Sequence, residues 1–127
     1  MAKFSLKLID SIEGKQKFYK LIQNDVCPFD NFQTEIENSN YLSELLTIYA
    51  YMEMVSELKT LPNTKFRDIT PDKSLVKEYE IKSKHLRVYL FHEEKTGKII
   101  VCGGYKKSQK SDIKHFRNLK KSYLQSL

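Results

Sequence analysis

The chain has 127 residues, a length typical of one domain, and its 22 lysines and arginines against 16 acidic residues give a net charge of +6. A hydrophobic fraction of 40%, with eight tyrosines and seven phenylalanines, excludes a disordered basic tail. Residues 1–60 hold six bases and nine acids, whereas residues 61–127 hold sixteen bases and seven acids. The sequence therefore predicts one folded domain over residues 1–127, with its basic excess in the second half.

The sequence predicts neither a metal site nor a cofactor. Cys27 and Cys102 stand 75 positions apart with no CxxC pair, and the histidines lack close-spaced ligand partners. The glycines at 103 and 104 belong to neither of the glycine-rich patterns that bind nucleotide phosphates. No signal-peptide core follows Met1, and glutamates interrupt the longest apolar stretch. We expect a cytoplasmic protein with free thiols and no membrane partner.

The first half predicts one strand and two helices. Alternating apolar and polar residues over 3–9 predict a strand with one buried face. Phe18, Leu21 and Ile22 have helical spacing, which predicts a short helix within residues 13–24. A longer apolar stripe predicts a helix over residues 40–58 that packs on the sheet.

In the second half of the sequence, apolar and polar residues alternate with a period of two. This alternation predicts strands over residues 78–84 and 86–92, and a turn leads into a third strand over 99–102. Ser111 can cap a C-terminal helix. The predicted fold class is α+β. A small, mostly antiparallel sheet, made of the N-terminal strand and the three-strand meander, packs one face on the N-terminal helices, and a basic helix ends the chain.

A basic cluster marks the end of the chain, since residues 105–127 carry seven bases and one acid. Further bases lie on the polar faces of the adjacent predicted strands: Lys82, Lys84 and Arg87. They can face the same sheet surface as the Lys106-Lys107 segment. Two interpretations are open at this point, a solvated helix face and a surface that binds a phosphate backbone.

The order of motifs over residues 76–123 resembles the RelE/HigB family of bacterial toxins. Residues 79–82 (YEIK) match the family's YEIR- or YEIK-type strand, and residues 86–88 match its LRV strand. Residues 106–110 (KKSQK) match its KK-TQK-like segment. Before residue 60 only the order of a strand followed by helices agrees, and the segment 23–39 is longer than is usual in the family.

The resemblance implies a RelE-like fold and a metal-independent endoribonuclease that cuts mRNA, usually on the ribosome. It also implies a cognate antitoxin protein that silences the toxin. ParE-like toxins of the same fold bind DNA gyrase and have no nuclease chemistry. The alternative is therefore a non-catalytic binding module, either a ParE-like gyrase inhibitor or a basic RNA-binding domain.

The resemblance also implies the catalytic residues. Cleavage through the 2′-hydroxyl of RNA requires a base, cations that stabilise the transition state, and an acid for the leaving oxygen. By the match to the family's strands, Lys82 is expected to be the base and Arg87 to clamp the scissile phosphate. Lys106 or Lys107 is expected to act as the acid or to stabilise the leaving group.

Three further residues are expected to bind RNA. Lys84 and Lys110 are assigned to flanking phosphates. Tyr105 either stacks on a base or closes the core as a strand-end aromatic. Because exposed basic residues contribute little to stability, replacing Lys82 or Arg87 with alanine is expected to leave the fold intact.

Overall fold

The computed structural model describes residues 2–127, which form a six-stranded sheet and three α-helices. In chain order the elements are β1 (Phe4–Leu8), β2 (Phe18–Gln23), α1 (Pro28–Glu37), α2 (Leu42–Ser56), β3 (Phe66–Asp68), β4 (Glu78–Lys82), β5 (Leu86–Glu93), β6 (Gly97–Tyr105), a short 3-10 turn (Lys106–Ser108) and α3 (Gln109–Gln125). The strand order is β1-β2-β6-β5-β4-β3. The predicted α+β class and the β4-β5-β6 meander are confirmed.

The sheet is mixed, because β2 pairs with β6 in parallel while the other four neighbouring pairs are antiparallel. The predicted N-terminal strand is confirmed as β1, but it pairs with β2 at the sheet edge and does not touch the meander. No helix among residues 2–127 is long and apolar enough to cross a bilayer.

The helix predicted within residues 13–24 is wrong, because this segment contains β2. Phe18 and Leu21 are both buried, yet they belong to the cores on opposite faces of the sheet. A strand that is buried on both faces reproduces the spacing of an amphipathic helix over so few residues.

The structure also contains two elements that the sequence patterns did not predict, α1 and β3. Pro28 occupies the first turn of α1, where its missing N–H and fixed φ favour helix initiation. Phe29, Phe32 and Ile36 form the buried stripe of this helix. β3 has only three residues, two of them charged, which is too few to show a period.

Helices cover both faces of the sheet, whereas the sequence predicted helix packing on only one face. One core lies between the sheet and α1 and α2, and a second lies between the sheet and α3. Cys27 belongs to the first core and Cys102 to the second, and both thiols are free. Their separation across the sheet explains why they cannot form a disulfide.

Two glycines allow the helices to approach β6 closely. A Cβ atom on Gly103 would lie 2.4 Å from the Phe32 ring of α1, and one on Gly104 would lie 2.0 Å from Asp112 of α3. The last helix begins at Gln109 after the 3-10 turn, so the cap predicted at Ser111 lies within the helix.

Candidate active site

A pocket of about 740 Å³ opens at the end of the sheet where the β4–β5 turn meets the end of β6. It is lined by one residue from α1, one that precedes α2, one from the β4–β5 turn and three from the end of β6 and the 3-10 turn: Glu35, Tyr41, His85, Tyr105, Lys106 and Lys107. The fold thus brings an imidazole, a carboxylate, two phenols and two amines to one cavity.

His85 is held in place by Glu44 of α2. The His85 Nδ1 atom lies 2.6 Å from Glu44 Oε2, and the main-chain N–H of His85 donates to Glu44 Oε1 at 2.7 Å. The Ser83 hydroxyl donates to the same Oε1 atom. Because Nδ1 is engaged by the carboxylate, Nε2 is the ring nitrogen available for proton transfer.

The Glu44 carboxylate stays ionised in this setting. Burial alone raises its pKa, but the hydrogen bonds from Ser83 and from the main chain and ring of His85 outweigh that effect and lower the pKa of Glu44. The His85 side chain is 44% exposed and the Glu44 side chain 19% exposed. The carboxylate is therefore the sheltered partner and the imidazole the accessible one.

Aromatic rings form the wall of the pocket. The Tyr41 ring lies 4.8 Å from the His85 ring, centroid to centroid, and the Tyr105 ring meets Tyr41 edge-on at 5.9 Å. The Tyr105 hydroxyl donates to Glu35 Oε2 at 2.9 Å. Tyr105 also packs against the first core. It therefore lines the cavity and closes the core at once.

Lys106 and Lys107 supply the positive charge of the pocket. Both are exposed, and neither takes part in a salt bridge within the part of the chain that the structure describes. The main-chain N–H of Lys106 donates to the His85 carbonyl at 2.8 Å, which ties the 3-10 turn to the β4–β5 turn. The two lysines thus line the same pocket as the imidazole, and their ammonium groups are available to an anion.

Of the sequence-predicted residues, Tyr105, Lys106 and Lys107 line the pocket. The others are not among its lining residues: Lys82, Lys84, Arg87 and Lys110. Strand register places Lys82 opposite Arg87 and Arg87 opposite Gly104, on the sheet face that α3 covers. Lys84 is exposed in the β4–β5 turn and Lys110 in the first turn of α3.

Arg87 is buried, with 5% of its surface exposed, so the expected solvent-facing guanidinium is wrong. Its Nη1 atom donates to the carbonyls of Ser83 at 2.6 Å and Leu86 at 2.8 Å. No salt bridge among residues 2–127 involves Arg87. The side chain therefore braces the β4–β5 turn that carries His85.

Two buried glutamates of β4 neutralise part of the basic charge. Glu78 accepts from Arg117 Nε at 2.9 Å and from Lys120 Nζ at 2.6 Å. Glu80 lies 2.8 Å from Arg67 Nε and accepts from Gln109 Nε2 at 2.7 Å. The alternation in β4 had suggested a solvent-exposed polar face, but these carboxylates lie beneath α3.

Sequence reasoning missed Glu35, Tyr41, Glu44 and His85. His85 stands at no motif position that the resemblance assigns, and the Glu44–His85 contact spans 41 residues, which no local pattern reveals. Among residues 2–127, no three histidine, cysteine or carboxylate side chains lie close enough together to hold a metal ion. Comparisons with protein-family models, with curated proteins and with solved structures find no match to this chain.

Proposed function

We propose that this chain is an endoribonuclease that cuts mRNA by a metal-independent mechanism, the activity implied by the resemblance to RelE/HigB toxins. The observation that carries the proposal is the pocket in which His85, oriented by Glu44, lies beside two unpaired lysines. An oriented imidazole next to free cations is the arrangement that 2′-hydroxyl chemistry requires.

In the proposed reaction, one proton moves from the RNA to the protein and one moves from the protein to the RNA. His85 Nε2 accepts the proton of the 2′-hydroxyl, whose oxygen then attacks the adjacent phosphorus. Lys106 and Lys107 stabilise the extra negative charge on the phosphate oxygens, and one of these ammonium groups donates a proton to the departing 5′-oxygen. The products are a 2′,3′-cyclic phosphate and a 5′-hydroxyl end.

In this proposal His85 takes the role that the resemblance gave to Lys82, because His85 lines the pocket and Lys82 does not. Arg87 is proposed to fix the β4–β5 turn through the Ser83 and Leu86 carbonyls. The tyrosines at 41 and 105 offer faces on which RNA bases can stack.

The proposed setting is cytoplasmic, with mRNA held on translating ribosomes and a cognate antitoxin as the silencing partner. The uncompensated lysines of the pocket support an acidic antitoxin segment as well as RNA, because both are anionic.

A second candidate is a non-catalytic binding module, either a gyrase inhibitor or an RNA-binding domain. The observation that favours it is the placement of Lys82 and Arg87, which lie outside the pocket that holds Lys106 and Lys107. Half of the expected catalytic set is thus absent from the cavity.

The test is to incubate the purified protein with translating ribosomes and to map new RNA ends and their chemistry. New 5′-hydroxyl ends paired with 2′,3′-cyclic phosphates are expected from the wild-type protein. The matched control is His115→Ala, because His115 is an exposed histidine of α3. Intact mRNA together with inhibited gyrase would favour the binding module and overturn the nuclease.

A further inference from the structure

The exposed and partly exposed bases of α3 all lie on one side of the helix. They follow one another at intervals of four, three and four residues, which places their side chains on one face. We call them the basic flank: Lys110, Lys114, Arg117 and Lys121. The other exposed side of the helix holds only uncharged residues: Ser111, His115, Asn118 and Ser122.

Most of the charge on the basic flank is uncompensated. Lys110, Lys114 and Lys121 are exposed, and the salt bridges within residues 2–127 include none of them. Arg117 is fixed by Glu78 and by the Ile69 carbonyl, yet 40% of its side chain remains exposed. The flank is therefore a row of four solvent-accessible cations, of which only Arg117 has a counterion among residues 2–127.

The basic flank begins beside the pocket. Lys106 and Lys107 line the pocket, and Lys110 follows in the first turn of α3. From Lys110 to Lys121 the helix extends roughly 16 Å at 1.5 Å per residue. A strand of RNA whose cleaved bond lies in the pocket would thus meet a continuous row of positive charge.

The chemistry of the flank fits RNA better than a protein partner. The cores of protein interfaces are rich in aromatic and apolar side chains and poor in charge. None of the exposed large apolar side chains of residues 2–127 lies in α3. At the far end of the flank, a pocket of about 430 Å³ is lined by the aliphatic Val76 and Leu124, by Glu78 with its partners Arg117 and Lys120, and by the unpaired Lys121. Cationic and apolar side chains in one pocket suit a nucleotide, which has both a phosphate and a base.

We propose that the basic flank binds the single-stranded RNA that continues from the bond cleaved in the pocket. This inference rests on the proposed function. It adds a second binding surface, which sets the length of RNA that the protein contacts. Binding along the flank neutralises phosphates and releases counterions. For each phosphate contacted, the logarithm of the binding constant should therefore fall by about 0.7 for every tenfold increase in salt concentration.

The experiment measures binding of 2′-O-methyl RNA, which lacks the free hydroxyl and cannot be cleaved by this chemistry. Two labelled oligonucleotides are used, one of about 4 and one of about 12 nucleotides, a range that spans known single-strand site sizes. The test variant is Lys114→Gln with Lys121→Gln. The matched control is Lys15→Gln with Lys95→Gln, because both of these lysines are exposed and lie outside α3.

For the test variant, we expect several-fold weaker binding of the long RNA and a salt slope that is smaller by about 1.4, from two contacts at about 0.7 each. Binding of the short RNA and the behaviour of the control variant should be unchanged. An equal loss for both lengths, or none for either, would overturn the proposal. An equal loss with polyglutamate of matched charge would instead assign the flank to an acidic protein segment. Because uncleavable RNA is used, the result is independent of whether the wild-type protein cuts RNA.

Discussion

The imidazole of His85 and the carboxylate of Glu44 are joined by a 2.6 Å contact across 41 residues of sequence, and the main-chain N–H of His85 donates to the same carboxylate. Two bonds to one carboxylate fix both the ring and the β4–β5 turn that carries it. Rigid support of this kind is what a proton-transfer group needs to keep its geometry during a reaction.

The Glu44 carboxylate is expected to stabilise the fold above mild acid pH. Its pKa is lowered in the folded state, because the hydrogen bonds to the charged form outweigh burial. The stabilisation is therefore complete above the unfolded value of 4.5 and is lost as the pH falls through the folded pKa. Glu44→Gln should lower the free energy of unfolding by roughly 1 kcal/mol at pH 7 and by close to nothing at a pH below the folded pKa of Glu44. Urea unfolding at several pH values measures the difference, and a constant gap across pH would contradict the assignment.

Replacing Arg87 is expected to destabilise the protein, contrary to the behaviour of an exposed base. Arg87→Ala removes the side-chain donor of the Ser83 carbonyl and leaves the Leu86 carbonyl with only the main-chain N–H of Ser83, which should cost about 1–3 kcal/mol in the free energy of unfolding. The comparison variant is Lys82→Ala, because Lys82 is the partly exposed cross-strand neighbour of Arg87. Its change should stay within about 0.5 kcal/mol. Equal stability of the two variants would show that Arg87 does not brace the turn.

Glu78 is expected to be among the most stabilising charged residues of the fold. It is almost fully buried and binds both Arg117 and Lys120 of α3. Glu78→Gln leaves these cations without their counterion, which should cost roughly 3 kcal/mol or more. The exposed Glu94 provides the control, and Glu94→Gln should hardly change the free energy of unfolding. Chemical unfolding of both variants measures the effect, and similar stabilities would refute the buried pairing.

Lys98 is expected to weaken the fold while it is charged. Burial lowers its pKa from 10.5 to about 8, and its Nζ atom lies 3.0 Å from the His92 ring. Between these two pH values the unfolded chain binds a proton that the folded chain lacks, so stability from this group rises with pH. Lys98→Met should therefore be more stable than wild type at pH 7, by up to about 3 kcal/mol. The advantage should shrink as the pH rises from 8 towards 10.5. An advantage that does not change with pH would rule out titration of Lys98 as its source.

The meander and the long helix could be predicted because each buries residues at one clear period. The segment of β2 could not, because burial on both faces gave Phe18 and Leu21 the spacing of a helix. The burial of Glu80 was hidden for a related reason. An alternating polar face is typical of a solvent-exposed strand, and only the structure reveals that α3 covers this face and that Arg67 and Gln109 bind the carboxylate.

The candidate site divides in the same way. Lys106 and Lys107 stand in a local motif that could be matched, and they line the pocket. The roles of Glu44 and His85 depend on packing α2 against the β4–β5 turn. Such a long-range contact is a property of the fold and leaves no spacing in the sequence.

If the pocket around His85 cleaves RNA, as we propose, the cleavage rate depends on the His85 imidazole. The most direct measurement is the single-turnover cleavage rate of one RNA by the wild-type protein, by His85→Ala and by the exposed-histidine control His115→Ala, with thermal unfolding confirming that all three are folded. We expect a loss of about 100- to 10,000-fold for His85→Ala and an unchanged rate for His115→Ala. Wild-type cleavage by His85→Ala, with the loss appearing instead in Lys82→Ala, would contradict the proposal.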